Sequence, residues 1–131
     1  MRSHVEFRSD AFPAEPGEEK KINPGRWGMA LARTLRSELT ARGFPGGDPF
    51  FEDWGVCVPI NNEEYPLWVG CGNYDEHPNG FLCFIEPSKP VIRRWFRKID
   101  VSAKVMAVAE ALDGTLRGNP SITDIRWWEP E

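Results

Sequence analysis

The stretch from Glu52 to Glu86, EDWGVCVPINNEEYPLWVGCGNYDEHPNGFLCFIE, decides the fold. Trp54, Val56, Val58 and Ile60 alternate with Gly55, Cys57 and Pro59, the period of two that gives a strand unequal faces. Asn61-Asn62-Glu63-Glu64 is a polar turn whose asparagines tolerate positive φ. Beyond it Tyr65, Leu67, Val69 and Cys71 alternate with Pro66, Trp68, Gly70 and Gly72. A turn centred between Asn62 and Glu63 sets Val58 opposite Leu67, Val56 opposite Val69 and Trp54 opposite Cys71, on the face expected under the helices. On the other face it sets Cys57 opposite Trp68 and Gly55 opposite Gly70. Glycines inside strands mark a bulge, a close backbone approach or a ring laid across them, and the simplest reading is that Trp68 covers this pair. The functional reading is a shallow apolar groove over Gly55 and Gly70.

Asp75 to Gly80, DEHPNG, punctuates the chain as a loop. The run Phe81 to Glu86 is apolar on both parities, as expected of a strand covered on two faces. The cover for the second face is expected from the chain's own tail or from another copy.

Working outward, Val5 and Phe7 make a short strand, and residues 9–22, rich in Pro, Glu and Lys, read as a mobile loop. Asn23-Pro24 offers a helix start, and Trp27, Leu31, Leu35 and Leu39 recur every fourth residue up to Gly43. The first helix is therefore expected over 24–42. Past the break Glu86-Pro87-Ser88-Lys89-Pro90, Asp100 can cap a second helix striped by Val101, Val105, Val108, Leu112 and Leu116. Ile122 to Glu129 makes a last strand. The order β-α-β-β-β-α-β implies a two-layer α+β sandwich, mainly antiparallel, with a central three-stranded meander and both helices on one face.

The 131 residues fit a single domain with a core of its own. A net charge of −4 speaks against a generally basic, nucleic-acid-binding surface and against anionic membranes. No apolar run approaches the ~20 residues of a membrane span. Three cysteines without a Cys-x-x-Cys pair fit reduced thiols and a cytosolic, bacterial type of protein.

Three surfaces are candidates for function. The apolar sheet face carries Gly55, Cys57, Trp68 and Gly70, with Trp127 or Trp128 beside them. The meander gathers Glu52, Asp53, Asp75, Glu76 and His77 at one end, a set able in principle to hold a cation or do acid-base work, although a solvated acidic rim is the ordinary outcome. Arg93, Arg94, Arg97 and Lys98 flank Trp95 and Phe96, a composition that grips phosphate and stacks bases. The acidity of the chain favours the alternative, in which the two aromatics anchor a turn in the core while the cations snorkel to solvent. No metal, cofactor or catalytic set is implied. Gly70-Cys71-Gly72 lacks the strand-turn-helix setting of a dinucleotide fingerprint. The expectation is a non-catalytic protein-interaction domain, an adaptor, inhibitor or immunity-like protein, that uses the apolar face toward a partner or as a homodimer. A small-molecule pocket or modest enzyme over Gly55, Gly70 and Trp68 stands second, and phosphate or nucleic-acid contact through residues 93–98 stands third.

Overall fold

The computed structural model describes residues 1–131. In chain order the elements are β1 (His4–Arg8), α1 (Glu18–Lys21), α2 (Met29–Ala41), β2 (Phe50–Glu52), β3 (Gly55–Ile60), β4 (Leu67–Asn73), β5 (Gly80–Glu86), β6 (Val91–Arg94), β7 (Arg97–Asp100), α3 (Ser102–Arg117) and β8 (Thr123–Trp128). Six strands form one sheet in the order β2-β3-β4-β5-β1-β8, and β6 and β7 form a separate hairpin. Every pairing is antiparallel. Helix α2 packs on β3 and β4, α3 on β5, and the two helices on each other. The result is the two-layer α+β sandwich expected, with the meander β3-β4-β5 at its centre. No helix is long and apolar enough to cross a membrane.

The core lies between the helices and one sheet face. Leu31, Leu35 and Leu39 of α2 and Val105, Val108, Leu112 and Leu116 of α3 are fully buried. They meet Val5, Phe7, Val56, Val58, Val69 and Ile85. Each such side chain contributes about 1.5–3 kcal/mol by leaving water, so this single seam carries most of the stability.

The alternation assigns strand faces correctly, but the register differs from the expected one. Val56 pairs with Cys71, Cys57 with Gly70, Val58 with Val69 and Pro59 with Trp68. The shift is two residues, which preserves parity and therefore faces. Its cause is the connection. Tyr65 leaves the strand pattern to bury its ring, and the Asn62 side-chain amide donates to the Tyr65 carbonyl at 3.1 Å. The loop so held spans 61–66 and is not a tight turn. Gly55 accordingly faces Glu52 across the β2–β3 pairing and not Gly70. Trp54 sits in the β2–β3 turn and swings to the face away from the helices.

The first helix starts at Met29 and not at Pro24. Asn23 to Arg26 closes a turn of its own, with the Arg26 N–H donating to the Asn23 carbonyl at 3.0 Å. What opens α2 is the Glu18 carboxylate. One of its oxygens accepts the N–H groups of Gly28 and Met29, both at 2.7 Å, and the other accepts the Glu15 N–H at 2.9 Å. Glu18 is only 2% exposed. A carboxylate is favoured at a helix N-terminus because it meets unpaired donors and the positive end of the peptide dipoles. The segment 9–22, expected as a mobile loop, is thus anchored: Phe12 and Ile22 are buried with Glu18, and the Trp27 indole N–H donates to the Phe12 carbonyl at 3.2 Å.

Glu18→Ala leaves two buried donors without an acceptor and should destabilise the fold by about 3 kcal/mol. The exposed neighbour Lys20→Ala should stay within about 0.5 kcal/mol. Urea midpoints at constant slope measure both, and a loss below about 1 kcal/mol for Glu18→Ala would show that the carboxylate does not hold the helix start.

Candidate functional site

Because both helices lie on one side, the other face of the six-stranded sheet faces solvent. Five aromatic rings cross it in a row. Trp54 from the β2–β3 turn stacks on Trp68 of β4 at 5.8 Å. Phe84 of β5 meets both indoles, at 5.2 Å and 5.6 Å. His4 of β1 stacks on Phe84 at 5.5 Å and reaches Trp128 of β8 at 5.6 Å. The Arg126 guanidinium closes the row over Trp128 at 5.1 Å. The row follows from cross-strand register, since His4 is paired with Phe84 on one side and with Trp128 on the other. Such ring pairs add about 0.5–1.5 kcal/mol each beyond the area they bury.

The candidate residues of this face divide. Cys57, Trp68, Gly70 and Trp128 lie on it. Gly70 is covered by Phe84 and not by Trp68: a Cβ there would sit 2.4 Å from the Phe84 ring. Gly55 serves the backbone, because a Cβ on it would lie 2.5 Å from the Cys71 carbonyl oxygen. Trp127 is on the opposite side. It pairs with Val5 and its indole N–H donates to Asp113 of α3 at 2.8 Å. The C-terminal residues do not fold over the face either, since β8 joins the sheet as its edge strand beside β1.

The Trp54–Trp68 stack divides two grooves. One, of about 440 Å³, lies between the stack and Leu82, Phe84, Tyr74 and Arg26. The Arg26 guanidinium is fixed there by the Asn73 carbonyl at 2.9 Å and by Asp75 at 3.2 Å. The other, of about 500 Å³, is lined by Phe50, Glu52, Trp54, Cys57, Pro59 and Trp68 among its residues. Burial, followed by the Glu52 charge, pushes the Cys57 thiol up to about 11. Cys71 and Cys83 are buried register partners on the helix side. Cys71 is raised well above the usual thiol range by its hydrogen bond with Cys83 and by burial. Thiols so held stay protonated at neutral pH, the opposite of nucleophile activation. Burial likewise pushes the His4 imidazole below its usual range, against the pull of Glu86.

The acidic set is placed at one end of the sheet but is not assembled into a site. Glu52 and Asp53 sit at the β2–β3 turn and Asp75, Glu76 and His77 in the β4–β5 loop. Asp75 turns to Arg26, and His77 meets the Tyr74 ring edge-on at 6.2 Å. No three His, Cys, Asp or Glu side chains stand close enough together to hold a metal ion.

The basic cluster overturns its expected packing. Arg93 and Arg94 end one arm of the β6–β7 hairpin, Arg97 and Lys98 begin the other, and Trp95-Phe96 is the two-residue turn between them. Trp95 is 82% exposed and Phe96 103%. The hairpin's inward side is occupied by Ile92 and the buried Ile99 at its base, so the apex points outward. Both apex residues have positive φ, 51° and 65°, the requirement of a type I′ hairpin turn. Asn-Gly suits such a turn, whereas bulky residues there store about 1–2 kcal/mol each. Sequence reasoning named these two aromatics but favoured a place for them in the core, and what it missed is the hairpin that exposes them. The signal present in the sequence was Val-Ile before and Ile after a two-residue centre, and its centre has the residues least typical of a turn.

Trp95→Asn/Phe96→Gly should therefore raise stability by about 2 kcal/mol. A higher urea midpoint with unchanged slope is the expected reading, and a drop would mean that the aromatics hold the hairpin together. Comparison with protein families, curated proteins and solved structures gave no match to this chain.

Proposed function

We propose that this chain is a non-catalytic protein-interaction domain, of the adaptor, inhibitor or immunity-like type, and that the open sheet face is its contact surface. The observation that carries the reading is the row Trp54, Trp68, Phe84, His4 and Trp128 on a face that no element of the chain covers. Contiguous apolar surface of this kind marks contact sites, and tryptophan is enriched among the residues that dominate protein association. Supporting it, the three thiols are buried, and Cys57 and Cys71 are held well above the range of a reactive cysteine. A second reading, a small-molecule site, is favoured by one observation: grooves of about 440 and 500 Å³ fall within the range of ligand pockets.

Trp68 is half-buried and lines both grooves, so its truncation separates these readings from a purely structural role. Trp68→Ala should weaken self-association or capture of a protein partner by about thirtyfold or more while the fold loses less than about 2 kcal/mol. Light scattering over a concentration series and thermal unfolding of both proteins measure the two effects. A loss of about 4 kcal/mol with association unchanged would make Trp68 a packing residue and remove the reading. Saturable tryptophan quenching by a metabolite, without any change of mass, would transfer the face to the small-molecule reading.

A further inference from the structure

The hairpin apex and the open face are each half of a contact. Trp95 and Phe96 project from the fold, and the four cations around them form like-charge pairs across the hairpin, Arg93 opposite Lys98 and Arg94 opposite Arg97. Like charges placed opposite on paired strands repel. Only Arg97 makes a salt bridge, to Glu64 at 3.8 Å, and Arg93, Arg94 and Lys98 make none. The apex thus combines stored backbone strain, two exposed rings and three cations without a salt-bridge partner, and no packing within the chain uses the rings.

The open face has the complementary set. The groove of about 500 Å³ beside Trp54 and Trp68 is apolar and carries Glu52 on its wall. Glu86 stands opposite Trp68 on the same face. Neither carboxylate has a salt-bridge partner within the chain, so both are free to meet cations from outside it. The distribution of charge favours a second copy as the occupant. The whole chain carries −4, and therefore −8 without the four hairpin cations. A nucleic acid or an anionic membrane drawn to the hairpin would be repelled by that acidic body, whereas a second copy offers acid where the hairpin offers base.

We propose that the Trp95-Phe96 apex of one molecule docks into the Glu52–Trp54–Trp68 groove of a second copy, with the hairpin cations facing Glu52 and Glu86. The contact rests on the reading of the open face as a protein-binding surface and assigns that surface its partner. Every copy has both halves, so reciprocal docking closes a two-fold dimer and one-way docking extends a chain.

Two single-half variants test it. Trp95→Asn/Phe96→Gly removes the apex and leaves the groove, and Glu52→Arg reverses the charge of the groove and leaves the apex. The natural protein should exceed monomer mass by light scattering at concentrations up to about 1 mM, and lose that excess as salt rises. Each variant alone should associate at least about thirtyfold more weakly. An equimolar mixture of the two should regain association, because one intact apex then meets one intact groove. A natural protein that stays monomeric throughout overturns the proposal. Association that survives loss of the apex overturns it while leaving the open face as the interface, packed face to face. A mixture that fails to regain mass also overturns it. Apex-dependent binding of a monomer to a single-stranded oligonucleotide or to anionic vesicles replaces the second copy with a polyanion.

Discussion

The N–H groups of Gly28 and Met29 point at one buried carboxylate, and much of the fold depends on that arrangement. With Glu18 satisfying them, α2 begins against β4 at a position where even a methyl group would collide, since a Cβ on Gly28 would lie 2.9 Å from the Cys71 carbonyl oxygen. The helix start is therefore fixed by a charged hydrogen-bond acceptor from ten residues upstream and by close backbone contact. Leu31, Leu35 and Leu39 then fall on the sheet, α3 packs beside α2, and one face of the six strands is filled. A helix that began at Asn23 would place the same leucines differently over the strands. The upstream segment pays for its order with Phe12, Glu18 and Ile22 all buried.

Filling one face with both helices leaves the other to aromatic side chains. Antiparallel sheets tolerate a solvent-facing side when it is polar, and on β1 this pattern holds, with Glu6 paired to Arg126 at 2.7 Å. Toward β3 and β4 it fails. Gly70 lets the Phe84 ring lie flat on the sheet, while Gly55 and Gly72 admit close approach of neighbouring backbone. Ring-over-glycine packing spares the backbone from solvent and also levels the surface, which leaves the Trp54–Trp68 stack standing above it as the divider between two grooves.

How much of this was legible in the sequence depends on which physical rule each feature obeys. Parity along a strand is a local property, so the assignment of Val56, Val58, Val69 and Cys71 to one face and Cys57, Trp68 and Gly70 to the other held even though the register slipped by two residues. Register depends on loop length, and the burial of Tyr65 in the connection has no local signature. Trp127 and Trp128 differ by one residue, and only the pairing of β8 with β1, an interaction across most of the chain, decides that Trp128 joins the aromatic row and Trp127 faces Asp113. Glu18 reads like its neighbours Glu15 and Glu19 in a polar stretch, and nothing short of the folded helix start singles it out. The β6–β7 hairpin was hidden because its turn contradicts turn chemistry.

That contradiction is informative in itself. Local propensity and global fold agree along most of this chain, as they do in sequences that fold to one state, and the exceptions gather at Trp95 and Phe96. A hairpin could be closed there with two small residues and no strain. Instead it closes with two of the largest, at positive φ, beside four cations that repel one another. Strain held in exposed residues has no packing explanation, because the rings touch little of the fold that orients them. The contact proposed above would give that strain a return, by removing the rings from water and supplying carboxylates to the arginines. The open face has the matching deficit, aromatic grooves with Glu52 and Glu86 unpaired beside them. A chain of net charge −4 gathers four of its sixteen cations around one aromatic projection, and the second copy proposed above would bring carboxylates to that projection and an apolar groove to its rings.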